Sequence, residues 1–153
     1  MATTTIREIE IRFTGKGRRV AERLRTAEDA ARFFVKLIAH DARELYVALY
    51  LDARNQPIGW RIVSMGTATA SLVHPRETFQ PAIMLGAVSV ILAHNHPSGD
   101  PDPSAEDRDV TRRLARAGQI LGVTVLDHFV IGAAGRWRSV RELHPALFAL
   151  ILD

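Results

Sequence analysis

The sequence predicts one layered α/β domain, a central mixed β-sheet flanked by helices. Three observations lead there. The chain has 153 residues, which fits a single domain able to bury roughly two-thirds of its unfolded surface. Strand-like and helix-like patterns alternate along it, which calls for stacked layers. The segment "AVSVILAHNH" (87–96) is an almost continuous aliphatic run, as in a central strand covered on both faces.

Each element follows in chain order. "TTTIREIEIRF" (3–13) spaces Ile6, Ile9, Ile11 and Phe13 in an imperfect alternation and reads as a strand. Residues 12–25 then gather Arg12, Lys16, Arg18, Arg19, Arg23 and Arg25 against Glu22 alone. An N-terminal strand and basic arm are therefore expected over 1–25, ahead of a main domain over 26–153. In "TAEDAARFFVKLIAHD" (26–41), Thr26 can cap a helix and Asp29 lies three residues on. Ala30, Phe33, Phe34, Leu37 and Ile38 form its apolar stripe. "ELYVALYLD" (44–52) reads as a buried strand, "ARNQPIG" as its turn and "WRIVSMG" (60–66) as its hairpin partner. "HPRETFQPAIMLGAV" (74–88) reads as a helix that Pro81 should divide into a short first turn and a bend. Ser104 opens a long helix whose buried face is expected at Val110, Leu114, Ala117 and Leu121, closed by Gly122. "VTVLDHFVIG" (123–132) is another buried strand, "GRWRSV" (135–140) its partner, and "RELHPALFALILD" (141–153) a short terminal helix. Repeats, low-complexity tracts and linkers are absent from the sequence.

Composition excludes several classes. At 47% hydrophobic and 24% charged, the chain is ordinary for a globular protein. It lacks a run of 18 apolar residues, so a membrane span is not expected. "MATTTIREIEIRF" lacks the apolar core of a signal peptide, and a cytoplasmic protein is the expectation. The absence of cysteine removes disulfides and thiolate metal sites. Net charge is only +3. The basic arm is a solvated face or, more sharply, a nucleic-acid contact. Phe13 alone among its residues could stack on a base.

The chemistry concentrates in "AHNHPSGDPDPSAED" (93–107). His94 and His96 are two apart at a strand end, so their side chains share a face. Two imidazoles on one face suit a divalent metal. The prolines of "PSGDPDP" stiffen the loop that follows. Ser104 and Asp107 then form a capping-box pattern on the first helical turn. A helix N-terminus favours the ionised carboxylate by about 0.3–1 kcal/mol, the state a ligand needs. Two histidines and one aspartate leave a fourth position for water, the pattern of a catalytic zinc. Asp100, Asp102, Glu106 and Asp109 are rival ligands. The loop does not obviously aim the first two, and the others point roughly 100° and 200° away from Asp107 around the helix. The plainer alternative is a pair of loop histidines beside an ordinary capped helix.

A zinc-activated water needs a carboxylate to take its proton. Glu44, just before a buried strand, and Glu77, in a helix first turn, are both candidates by position. His128, inside a strand, reads as a satisfied core histidine or a partner of the site. His74 can cap the helix after it, His40 and His144 read as surface residues, and Trp60 and Trp137 as core or rim aromatics. The H-x-E and P-C-x-x-C signature of zinc deaminases is missing, as are H-E-x-x-H, G-x-S-x-G and a P-loop.

His94, His96, Ser104 and Asp107 match the H-x-H, spacer, S-x-x-D signature of the JAMM (MPN+) metalloproteases. With "HPRE" (74–77) and "LDHFVIG" (126–132), the chain more narrowly resembles the JAB domain of the bacterial RadC family over roughly residues 30 to 145. The resemblance implies a JAB/MPN-like fold with cytidine-deaminase-like layering. It implies one zinc per chain held by His94, His96 and Asp107, with Ser104 near the bound water or the oxyanion. The family's general acid/base glutamate falls on Glu44. A zinc-dependent peptidase or isopeptidase acting on a peptide or protein substrate is therefore expected. The alternative is a DNA-repair or mobile-element accessory protein that mainly binds. Larger RadC proteins add an N-terminal region resembling a helix-hairpin-helix unit. Nothing like it stands before residue 26, so a stand-alone form is expected and the DNA alternative is the weaker one. A dimer is left open.

Overall fold

The computed structural model describes residues 10, 24–66 and 73–149. The expected N-terminal strand and nearly all of the basic arm lie outside these residues. In order, the elements are α1 (Ala27–Ile38), β1 (Glu44–Leu51), β2 (Pro57–Gly66), α2 (Pro75–Leu85), β3 (Ser89–Asn95), α3 (Ala105–Leu121), β4 (Thr124–Ile131), β5 (Trp137–Ser139) and α4 (Val140–Leu143). The strands form one mixed sheet in the order β2-β1-β3-β4-β5. Only β3 and β4 are parallel; the other neighbours run antiparallel. The layered α/β class expected from the pattern is the class observed. Among the described residues, no helix is long and apolar enough to cross a membrane.

Alternation along the strands divides the core in two. Tyr46, Ala48 and Tyr50 of β1 and Val90 and Leu92 of β3 pack with Phe79, Ala82, Val110 and Leu114 of α2 and α3. Leu45, Val47, Leu49, Ile91 and Ala93 face the other way, onto Ala30, Ala31, Phe34 and Ile38 of α1. Phe34 is fully buried, with its ring 6.2 Å from that of Phe129; burying such a side chain stabilises the fold by about 1.5–3 kcal/mol.

Both expected capping boxes form. Thr26 accepts from the Asp29 N–H while the Asp29 carboxylate accepts from the Thr26 N–H, and Ser104 and Asp107 do the same for α3. His74 caps α2 through Nδ1, which accepts from the Arg76 N–H.

Three expectations need correction. α2 is a single helix running through Pro81. Proline removes the bond to the Glu77 carbonyl, and one residue on the Tyr50 hydroxyl donates to the Thr78 carbonyl at 2.8 Å and ties that turn to β1. The buried face of α3 carries Asp107, Val110, Thr111, Leu114, Ala115 and Gly118, while Leu121 is exposed. The stripe turns because Gly118 passes against the Val123 carbonyl and the Phe79 ring, where a Cβ would collide. The described part of the terminal segment is the four-residue α4 and a 3-10 turn over Pro145–Phe148, because Pro145 interrupts the helix.

Candidate metal centre

The site lies at the carboxyl end of the parallel β3–β4 pair, where α3 begins. His94 sits in β3 on the face packed by α2 and α3, and His96 is the first residue past the strand, its N–H donating to the Ile131 carbonyl. The two Nε2 atoms are 2.8 Å apart. The Asp107 carboxylate, brought in by the first turn of α3, has Oδ1 3.2 Å from His94 Nε2 and Oδ2 3.1 Å from His96 Nε2. Glu44, at the start of β1, completes the group. One ligand atom from each of Glu44, His94, His96 and Asp107 lies within 4.8 Å of every other.

These residues fit a metal ion on their own chemistry. His96 Nδ1 lies 2.7 Å from the Asp100 carbonyl, which can only accept, so Nδ1 carries hydrogen and Nε2 can offer a lone pair. Two imidazole nitrogens and a carboxylate converge on one point, with His94 and Asp107 buried and His96 half-buried. A cation or a shared proton is what such a cluster requires.

The electrostatics agree. Burial alone would raise the Asp107 pKa, but the adjoining imidazoles of His94 and His96 and the hydrogen bond from the Ser104 N–H outweigh it and hold the carboxyl well below the usual range. The hydrogen bond to Asp107 raises the His96 pKa. Glu44 is shifted upward, chiefly by burial, against the pull of the two imidazoles. A carboxyl raised in this way is better suited to carrying a proton near neutral pH.

Of the rivals, Asp100 accepts the Asp102 N–H, Asp102 pairs with Arg138, and Asp109 pairs with Arg112. None of these three, nor Glu106, joins the cluster. Glu77 stays in the first turn of α2, bonded by Arg76 at 3.2 Å, and is also outside it. Ser104 is exposed and caps α3, with Oγ accepting from the Asp107 N–H at 3.1 Å.

Three supports escaped the sequence reading. Tyr46 stacks on His94, with centroids 5.6 Å apart and planes within 8°. Asn95 accepts from the Leu45 N–H at 2.7 Å and donates to the carbonyls of Asp41 and Arg43, clamping the backbone on either side of Glu44. Thr111 touches His128, which in turn touches His94. The alternation of β3 could have flagged Asn95, since it turns a polar side chain toward the α1 layer.

Fold and cluster together define an α/β domain with a candidate metal centre at the end of a parallel strand pair. Residues 24–145 match the RadC-like JAB domain, and the chain belongs to that family. It is 54% identical over 110 residues to UPF0758 protein STH371 of Symbiobacterium thermophilum, covering 72% of this chain and 47% of that protein. It is 50% identical over 109 residues to a UPF0758 protein of Geobacillus thermodenitrificans, covering 71% and 48%. With a UPF0758 protein of Methanococcoides burtonii it shares 45% identity over 136 residues, covering 89% and 57%. The chain thus spans about half the length of the curated relatives it matches.

Proposed function

We propose that the chain is a JAMM-type zinc metallopeptidase that hydrolyses an amide or isopeptide bond. The observation that carries this reading is the convergence of Glu44 with His94, His96 and Asp107. A site that only held a metal would need the three ligands; a half-buried fourth carboxylate beside them suits acid/base work. His94, His96 and Asp107 would hold the zinc. When bound, zinc supplies a water acidified toward neutrality and polarises the scissile carbonyl.

The remaining work belongs to the protein. Glu44 accepts the proton of the attacking water as the C–O bond forms, then delivers it to the nitrogen as the C–N bond breaks. Its burial-raised pKa serves both directions. The Ser104 cap uses an oxygen lone pair, which leaves the hydroxyl hydrogen to donate to the carbonyl oxygen as negative charge develops there. Asn95 holds the start of β1, and so Glu44, in register with β3.

The test is a screen of zinc-loaded protein against peptides and isopeptide-linked substrates. The parent should cleave at least one. Glu44→Gln should slow that cleavage by on the order of 10²–10⁴-fold while keeping zinc affinity. A zinc-loaded parent inert across the screen, or a fully active Glu44→Gln, would overturn the reading.

A further inference from the structure

His128 and Thr111 are buried beside the site, and the proposed chemistry gives neither a role. Their contacts admit one hydrogen arrangement. Thr111 Oγ1 lies 2.7 Å from the Asp107 backbone carbonyl, which can only accept, so the hydroxyl hydrogen is used there. The same oxygen lies 2.6 Å from His128 Nδ1. With its own hydrogen committed, Thr111 can only accept, so His128 carries hydrogen on Nδ1. His128 Nε2 lies 2.7 Å from His94 Nδ1. A cationic His128 is excluded by its surroundings. The ring is fully buried, and its nitrogens meet a hydroxyl and another imidazole rather than a carboxylate. Nε2 of His128 is therefore bare and accepts from Nδ1–H of His94. In the neutral form of His94 that leaves the lone pair on Nε2, the atom facing His96 and Asp107.

We infer that His128 and Thr111 are positioning residues forming an uncharged relay, which locks His94 in the Nδ1–H tautomer and holds its Nε2 lone pair toward the metal position. The inference rests on the reading of His94 as a metal ligand. A ligating histidine is ordinarily oriented by a carboxylate, a backbone carbonyl or a water; His96 follows that habit through Asp100. His94 instead leans on a third imidazole. The relay also returns to its start, because its last acceptor is the backbone of Asp107, whose carboxylate is itself in the cluster. The two candidate ligands are thereby tied together on the protein side without any added charge.

A local irregularity in β4 makes this possible. Val90 pairs with Val125, but Ile91 pairs with Asp127, so one extra residue, Leu126, sits in β4. Such a bulge reverses which side chains face which layer. Val125 faces α3 before it; after it Val130 does, while Phe129 and Ile131 face α1. His128 is thus turned toward α3 and His94. Without the extra residue, Asp127 and Phe129 would hold that face.

Two measurements test the relay, and the first needs neither metal nor mutation. In metal-free, ¹⁵N-histidine-labelled protein at mildly alkaline pH, long-range ¹H–¹⁵N correlation should find both His94 and His128 as Nδ1–H tautomers. His94 found with its hydrogen on Nε2 overturns the inference whatever the metal does. The second is zinc affinity by competition with a chromophoric chelator. Thr111→Val keeps shape but removes the hydroxyl, and should weaken zinc about 10–100-fold, with His94 gaining the Nε2–H form. Thr111→Ser should restore both readouts, which a purely structural loss would not predict. A folded Thr111→Val protein with parental zinc affinity also overturns the relay. A parent that binds no zinc while His94 shows the expected tautomer would instead sink the metal assignment and leave the hydrogen-bond chain standing.

Discussion

The proposed function gives the Ser104 side chain a second role beside its cap. As the N-cap of α3 it satisfies the Asp107 N–H, and Ser104→Ala should cost about 0.5–2 kcal/mol of stability, read by denaturant unfolding. As an oxyanion donor its loss should lower turnover by on the order of 10²-fold or more. Unchanged turnover would remove the second role and leave the cap. His96 makes the pH behaviour testable. Its hydrogen bond to Asp107 raises its pKa, so in metal-free protein the stabilisation is complete below the unfolded-state value and is lost as pH rises through the folded one. A metal needs the same Nε2 free of hydrogen, so zinc affinity should move oppositely and grow with pH across that window. Metal-free parent and His96→Gln should accordingly converge in stability as pH rises. Parallel stability curves for the two would refute the assignment.

At the scale of elements, Asn95 shows how a strand can position a residue it does not contain. It satisfies the Leu45 N–H and bonds two carbonyls of the preceding loop. Asn95→Ala strands a buried donor and should destabilise the fold by about 1–3 kcal/mol. It should also lower kcat with zinc affinity little changed, since the ligands come from β3 and α3. A variant with normal kcat would show that β1 is held by its ladder alone. Much of this architecture was legible beforehand. The capping boxes announced α1 and α3 because a cap is a local signal, read over four residues. The cluster was legible because His94, His96 and Asp107 lie in one short segment. Glu44 could be separated from Glu77 only by resemblance, since nothing local tells which strand end abuts β3. Thr111 was invisible because hydroxyls on a helix face usually bond their own backbone. The bulge at Leu126 was invisible because a one-residue shift leaves an aliphatic strand looking the same. The buried face of α3 was misread at Leu121 because the close pass of Gly118 depends on where β4 starts.

For the whole molecule, the proposed zinc site should link metal to global stability. Zinc at about 100 times its Kd should raise the unfolding free energy by about 2.7 kcal/mol, seen as a higher Tm that Asp107→Ala abolishes. An unchanged Tm in the parent at saturating zinc would count against a site formed only in the fold. The parts of the centre also differ in how far the chain must travel to assemble them. His96 and Asp107 are 11 residues apart, whereas the clamp that fixes Glu44 joins Leu45 to Asn95 across 50. Closing the longer loop costs about 1.3 kcal/mol more in chain entropy. During folding, the loop that joins His96 to Asp107 can therefore close first and the Glu44 carboxylate arrive later. A molecule caught between these events would retain zinc yet be chemically silent, its metal content that of the finished protein and its proton carrier still in solvent.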